Sequence, residues 1–226
     1  MKLAEIKNYL KANANPKNAA GMARFGINPN GTLGISIPLL RKLAKKIGKD
    51  HALALHVWKS GIHEAKLLAG FIDDYHQVTR KQMERWVRDF DSWDICDQTC
   101  SNLFDKTPFA YKTAKKWAKK EKKFVRRAGF VLMAALAVHD KKADDAVFEN
   151  FFPIIVKYSN DERNFVKKAV NWALRQIGKR NQRLNRSAIK TAQLILRIDS
   201  PSARWIASDA LRELKSPGVI KRLKQK

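Results

Sequence analysis

The segment DFDSWDICDQTCSNLF places Trp93 four residues before Asp97. On a helix, positions i and i+4 share a face, so this spacing projects an indole and a carboxylate together. The chain around them carries 46 Lys and Arg against 21 Asp and Glu, a formal charge of +25. An acid held in a field that attracts phosphate is suited to opposing positive charge that develops on a sugar. That is the chemistry of breaking an N-glycosidic bond in DNA. Spacing alone leaves a plainer alternative beside it, with Trp93 in the core and Asp97 a solvated helix residue. Asp91 and Asp94 would then serve only the helix dipole. Trp172, taken alone, reads as core. Cys96 and Cys100 stand i,i+4 on the same helix and supply half of a metal site, but no His or Cys completes a recognisable ligand spacing. His51, His56, His63, His76 and His139 are scattered. No metal or other cofactor is expected.

Other chemistries lack their signatures. There is no phosphate-cradling glycine loop, no nucleophile elbow and no dinucleotide fingerprint. A helix-hairpin-helix with its glycine-rich turn and opposed lysine is also missing. The positive charge is spread along the chain rather than gathered in a tail, and an excess of this size attracts polyanions. Nucleic acid is the first candidate partner and an anionic membrane the second. KTAKKWAKKEKK (112–123), with Trp117 on its apolar side, reads as a solvated helix flanking nucleic acid rather than one lying on a membrane. The opening MKLAEIKNYL has no uninterrupted apolar stretch, so no secretory signal is expected. Two cysteines make no disulfide framework, and a cytoplasmic protein, nucleoid-associated when bound to DNA, is expected.

The elements that must position Trp93 and Asp97 are helical. Leu39, Leu40, Leu43 and Ile47 form one apolar stripe closed by Gly48; Met83, Trp86, Val87 and Phe90 form another. Asn15-Pro16, Thr107-Pro108, Ser200-Pro201 and Ser216-Pro217 each set a capping side chain before a proline suited to a first turn. Thr79 followed by Gln82 resembles a capping box. Only Thr32 to Ile37 alternates as a strand would. Helices are predicted over 2–13, 16–25, 38–47, 51–59, 62–74, 79–90, 92–104, 108–119, 123–138, 143–157, 162–178, 184–196 and 202–215. The apolar run from Ala128 to Val138 is about half the length of a membrane span and reads as a buried helix.

FVRRAGFVL (124–132) matches FVKKAVNWA (165–173) at an offset of 41, which also carries Ala128 and Ala169 onto Ala210. A period near 40–47 residues with two helices per unit points to HEAT or armadillo-like stacking. We therefore expect an all-α helical-repeat solenoid with a basic concave face, 1–226 forming a single domain. Arg126, Arg127, Lys167 and Lys168 recur at equivalent positions and should line one face. That face is either a solvated ridge or a phosphate contact, and the net charge favours phosphate.

SWDICDQ, FVRRAGFVL and NFVKKAVNWALRQIGKRN together resemble the AlkD-like DNA alkylation repair glycosylases, and MARFGI with GISIPLLRK resembles that family's opening helices. The resemblance implies a HEAT-like solenoid that excises cationic alkylated purines from duplex DNA. It assigns the catalytic aspartate to Asp97 and the two pocket tryptophans to Trp93 and Trp172. DNA contact falls on Arg127 and Arg175, with Arg126 and Lys168 beside them. Phe25 and Ser36 stand where the best-known members carry polar residues. An N3- or N7-alkylated purine already carries positive charge and leaves neutral, so no general acid is required. The sugar left behind is oxocarbenium-like. An aspartate, ordinarily ionised at neutral pH, can stabilise that cation and orient water. Each indole face adds cation–π attraction of about 0.5–2 kcal/mol. The expected partner is duplex DNA containing alkylated bases, met by a monomer without an obligate protein partner or a membrane. A non-enzymatic relative that binds distorted or branched DNA is the alternative, and a HEAT scaffold for proteins or RNA is a further one.

Overall fold

The computed structural model describes residues 1–225. They form fifteen α-helices, two short 3-10 helices and no strand, in two compact units, Met1–Pro108 and Phe109–Lys226. The first holds α1 (Leu3–Ala12), α2 (Pro16–Arg24), α3 (Ile37–Ile47), α4 (His51–Trp58), α5 (His63–Ile72), α6 (Arg80–Trp86) and α7 (Trp93–Asn102). The second holds α8 (Ala110–Ala118), α9 (Lys123–His139), α10 (Asp145–Glu149), α11 (Phe152–Lys157), α12 (Asn164–Gly178), α13 (Gln182–Leu196), α14 (Pro201–Leu214) and α15 (Pro217–Lys224).

In the first unit, α5 is the central helix, packed by α3, α4 and α7. Leu40 and Leu43 of the predicted α3 stripe are buried, as are Met83, Trp86, Val87 and Phe90. Trp86 stacks on Trp58 with ring centroids 3.9 Å apart, and Phe90 and Phe104 close the cluster. The Trp58 indole N–H reaches Asp89 at 2.9 Å, so this aromatic core leaves no indole donor stranded. α2 stands apart in having no buried residue.

The segment with strand-like alternation is an extended loop. Its backbone donors go to one side chain instead of a partner strand. Glu64, wholly buried on α5, accepts from the N–H groups of Leu33, Gly34 (2.7 Å) and Ile35 (3.2 Å). Gly34 has a φ of 78°, and a Cβ there would lie 2.2 Å from the Asn15 carbonyl oxygen. Only glycine fits this approach.

The second unit shows the repeat directly. α9 packs along α12, and α12 along α14. Ala128, Ala169 and Ala210, one per helix at the recurring position, are all fully buried. The apolar run is interior from Ala128 to Ala137, and among the described residues no helix is long and apolar enough to cross a membrane.

Departures from the predicted elements have local causes. The helix predicted over 143–157 is broken into α10 and α11, because Pro153 sits in the first turn of α11 and supplies no N–H to continue α10. The helix over 79–90 tightens into a 3-10 turn at Val87–Asp89. Thr79 caps α6 through the Gln82 N–H at 3.1 Å, but the Gln82 side chain turns to Asp73 instead of completing the box. Thr107 does not cap α8; its hydroxyl bonds back to the Phe104 carbonyl and α8 starts at Ala110. Asn15, Ser200 and Ser216 do cap. The last of them opens α15, a helix absent from the sequence reading, which buries Val219 and Leu223.

Candidate functional site

α7 carries the Trp93–Asp97 pair and is fixed at its start from two sides. His63 on α5 shares a buried hydrogen bond of 2.8 Å with Asp94, whose other oxygen accepts from the Ile95 N–H. Asp94 thus ties two helices together, beyond the dipole role its position suggested. On the other side, the Asn28 N–H donates to the Ser92 hydroxyl at 2.9 Å and the Asn28 amide donates to Asp91 at 2.8 Å. The Trp93 indole N–H donates to the Phe25 carbonyl at 3.1 Å. The loop that Glu64 clamps from within therefore also holds Trp93 in one orientation.

Trp93 and Asp97 are both half-buried, one turn apart on the same helix. Trp93 borders a cavity of about 700 Å³ whose wall includes Lys17, Asn18, Arg24, Phe25 and Ser36. Phe25 is 74% exposed, which is unusual for a large apolar side chain at the mouth of a cavity. Ser36 is also exposed. Behind Asp97, Cys96 and Cys100 are buried free thiols. Burial pushes the Cys100 thiol well above the ordinary value, and its bond to Cys96 and the nearby carboxylates add to this. It stays protonated and is no nucleophile. Among the described residues, no group of three or more His, Cys, Asp or Glu side chains is placed to hold a metal ion.

In the second unit, Trp172 lies half-buried on α12. With the Gln176 amide oxygen turned toward it, that oxygen accepts from the Trp172 indole N–H at 3.0 Å and from Lys179 at 3.2 Å. Lys179 also pairs with Glu213 on α14 at 2.6 Å. Arg175 pairs with the same Glu213 and with Asp209. Burial alone would raise the Glu213 carboxyl, but Lys179 and Arg175 hold it below the ordinary glutamate value.

The basic residues assigned to DNA have unequal surroundings. Lys168 is exposed. Arg127 is only 6% exposed, and its guanidinium donates to the Phe165 carbonyl. Arg126 pairs with Asp161 at 2.7 Å and lies over the Tyr158 ring at 4.6 Å. Its repeat equivalent, Lys167, lies over Trp205 at 5.3 Å. Equivalent positions thus share a cation–aromatic contact, whereas Arg127 and Lys168 differ fully in exposure. The sequence reading missed Glu64 and the His63–Asp94 bond. Both join residues about thirty positions apart, and no local spacing signals them.

Fold and site together define a helical-repeat protein with a carboxylate–indole pair in a strongly basic chain. Residues 6–214 match the model of the DNA alkylation repair enzyme family, and the chain belongs to that family. A solved structure, presented as "a new family of proteins related to the HEAT-like repeat DNA glycosylases with affinity for branched DNA structures", is similar with a TM-score of 0.77. The likeness covers 94% of this chain and 95% of that one at 17% identity. At that identity it establishes the fold, a HEAT-like helical repeat. No match was found among curated proteins.

Proposed function

We propose that this protein is a monofunctional DNA N-glycosylase that releases cationic N3- or N7-alkylpurines from duplex DNA. The observation that carries the reading is the pairing on α7: a half-buried carboxylate one turn from an indole whose ring is fixed by the Phe25 carbonyl. Asp97 opposes the charge that grows on the sugar as the base departs, and it orients the water that attacks. The face of Trp93 adds cation–π attraction. The departing base is neutral once the bond breaks, so the reaction needs no general acid. A metal or nucleophilic thiol has no part in this mechanism. Trp172 enters from the sequence resemblance and is to be tested by its own variant. Lys168 is the phosphate contact its exposure supports, and Arg126, Arg127 and Arg175 join it on the strength of the resemblance. Residues 1–226 act as one functional domain and as a monomer, in the cytoplasm on nucleoid DNA.

The test is single-turnover release of 7-methylguanine from duplex DNA by wild type and Asp97→Asn. Removing one preorganised electrostatic contact of this type costs about 2.7–4 kcal/mol, roughly a hundred- to a thousandfold in rate. Equal rates would sink the assignment of Asp97.

A second reading has one observation in its favour: the structurally similar protein is described by its affinity for branched DNA. On that reading this chain binds distorted or branched DNA without breaking it. Wild type that releases no base, yet binds a four-way junction more tightly than a duplex of equal length, would decide for it.

A further inference from the structure

The C-terminal end of α3, the end of α5 and the end of α7 enclose a second cavity of the first unit, about 330 Å³, away from Trp93. Arg41, Lys45, Lys49 and Lys106 line it, together with Phe71 and Asn102. No carboxylate is among its lining residues. Arg41 is held in place without being neutralised. Its Nη2 donates to Gln98 at 3.1 Å and to Asn102 at 3.0 Å, and its guanidinium lies 4.5 Å from the centre of the Phe71 ring. These partners are two neutral amides and an arene, and among the described residues no acid lies within ion-pair distance of Arg41. Lys49 donates to the Phe71 and Asp73 carbonyls at 3.0 and 2.7 Å, which fixes a second cation at the rim.

A protein that needed only solubility would leave these side chains to spread into water. Here one arginine is aimed by three contacts and four like charges converge on one concavity. Their mutual repulsion is tangible. Loss of hydration and the neighbouring Lys106 lower the Lys49 ammonium from its ordinary value, outweighing the attraction of Asp73 and Asp74. An anion in the cavity would relieve that repulsion, and the guanidinium presents the planar donor geometry that suits phosphate oxygens.

We propose that this cavity is a backbone-phosphate site for DNA, gripping a phosphodiester without regard to base. The proposal rests on the reading of the chain as a DNA-binding repair protein, and it does not depend on base release. Gln98 and Asn102 lie on α7 just after Asp97, so an occupied site would also anchor DNA to the helix that carries the proposed catalytic carboxylate.

The experiment measures affinity for an undamaged duplex as a function of salt between about 50 and 200 mM. Lys45→Gln/Lys106→Gln removes two exposed cations that hold no structural bond; circular dichroism verifies its fold. Lys11→Gln/Lys59→Gln removes the same charge from exposed positions outside the cavity. Each phosphate contact contributes about 0.9 to the slope of log K against log salt. Loss of the one phosphodiester contact should therefore make the cavity variant shallower by about 0.9, while the control keeps the wild-type slope. An unchanged slope in the cavity variant, an equal change in both variants, or a wild type without duplex affinity would each overturn the proposal. A flattened cavity variant beside a wild type that releases no base would support the phosphate site while removing the catalytic reading. Efficient base release with an unchanged slope would do the reverse.

Discussion

Replacing Glu64 should detach the loop that orients Trp93, and the structure allows the effect to be sized. The Glu64 Oε1 accepts from Leu33, Gly34 and Ile35 at 3.0, 2.7 and 3.2 Å, and Oε2 accepts from Leu33 at 2.9 Å. Hydrogen bonds to a charged group contribute about 1.5–3 kcal/mol each, and a buried donor left without its partner costs about 1–3 kcal/mol. Gly34 and Ile35 are buried, so Glu64→Ala strands two donors outright. Two stranded donors at about 1–3 kcal/mol each put the loss at about 2–6 kcal/mol. Part of it will be relieved if the loop opens locally instead of the whole unit unfolding. Glu64→Gln keeps the oxygen that serves three donors, loses the charge and sets an NH2 against the Leu33 N–H in place of the second acceptor, so its cost should be smaller than that of alanine. Two measurements separate the effects: the denaturant midpoint, and amide hydrogen exchange at Leu33, Gly34 and Ile35. In Glu64→Ala these three amides should exchange far faster, and base release should fall with them because Trp93 loses its fixed acceptor. Wild-type protection of Gly34 and Ile35 in Glu64→Ala would refute the reasoning, as would Gln and Ala variants of equal stability.

Trp93→Phe removes one exposed hydrogen bond, that to Phe25, and should cost under about 1 kcal/mol of stability while slowing single-turnover base release; a rate equal to wild type would show that the indole orientation is irrelevant. Gly129→Ala would place a Cβ 2.2 Å from the Ala118 nitrogen and 2.8 Å from the Ala114 carbonyl oxygen. Because these are backbone atoms, α8 and α9 must separate, and overpacking of this kind should lower stability by about 1–3 kcal/mol or more, read as a fall in the thermal midpoint. Asp161 would be raised by burial, but bonds from Arg163 and Arg126 hold it below the ordinary aspartate value. Its contribution is therefore present above the unfolded value near 3.9 and fades as pH falls through the lower folded one. Asp161→Asn should be less stable at neutral pH and should lose less on acidification below about pH 5 than wild type, measured by denaturant titration at each pH. Lys168→Gln should flatten the salt dependence of duplex binding by about one phosphate contact without loss of stability. Arg127→Met should weaken duplex binding and lower stability as well, because it also deprives the Phe165 carbonyl of its donor.

The helices were legible because their signals are local. Pro16, Pro201 and Pro217 lie in first turns behind capping side chains that do cap, and the offset of 41 marks alanines that are interior in α9, α12 and α14. Trp93 and Asp97 were legible for the same reason, since one turn of helix fixes their relation. The supports of that pair were not. Glu64 reads in sequence as one more acid in the first turn of a helix, and His63 as an isolated histidine. Their roles depend on a loop and a helix about thirty residues away, and nothing in the spacing connects those segments. Loop 32–37 misled for a related reason. Alternation reports which side chains face inward, but it does not report what satisfies the backbone between them.

Charge was the least legible property at the level of single residues, although the total was informative. Arg126, Arg163, Arg175, Arg183, Arg204 and Arg212 each pair with an acid, and the buried Arg127 holds a carbonyl. An arginine in a repeat is well suited to this task, because its fork bridges adjacent helices while its stem packs. Repeat position therefore marks where a cation helps one helix hold the next, which is a different property from facing a ligand. With 46 basic residues and 21 acidic ones, each acid would have to serve more than two cations for every cation to be paired within the chain. The residues to watch for phosphate are consequently those that pair with nothing acidic yet remain fixed. Arg41, aimed by Gln98, Asn102 and Phe71, meets that condition, and Arg175, paired with both Glu213 and Asp209, does not. Arg175 is a phosphate contact by the resemblance, and substituting it should therefore disturb the packing of α12 on α14 as well as weaken the grip on DNA.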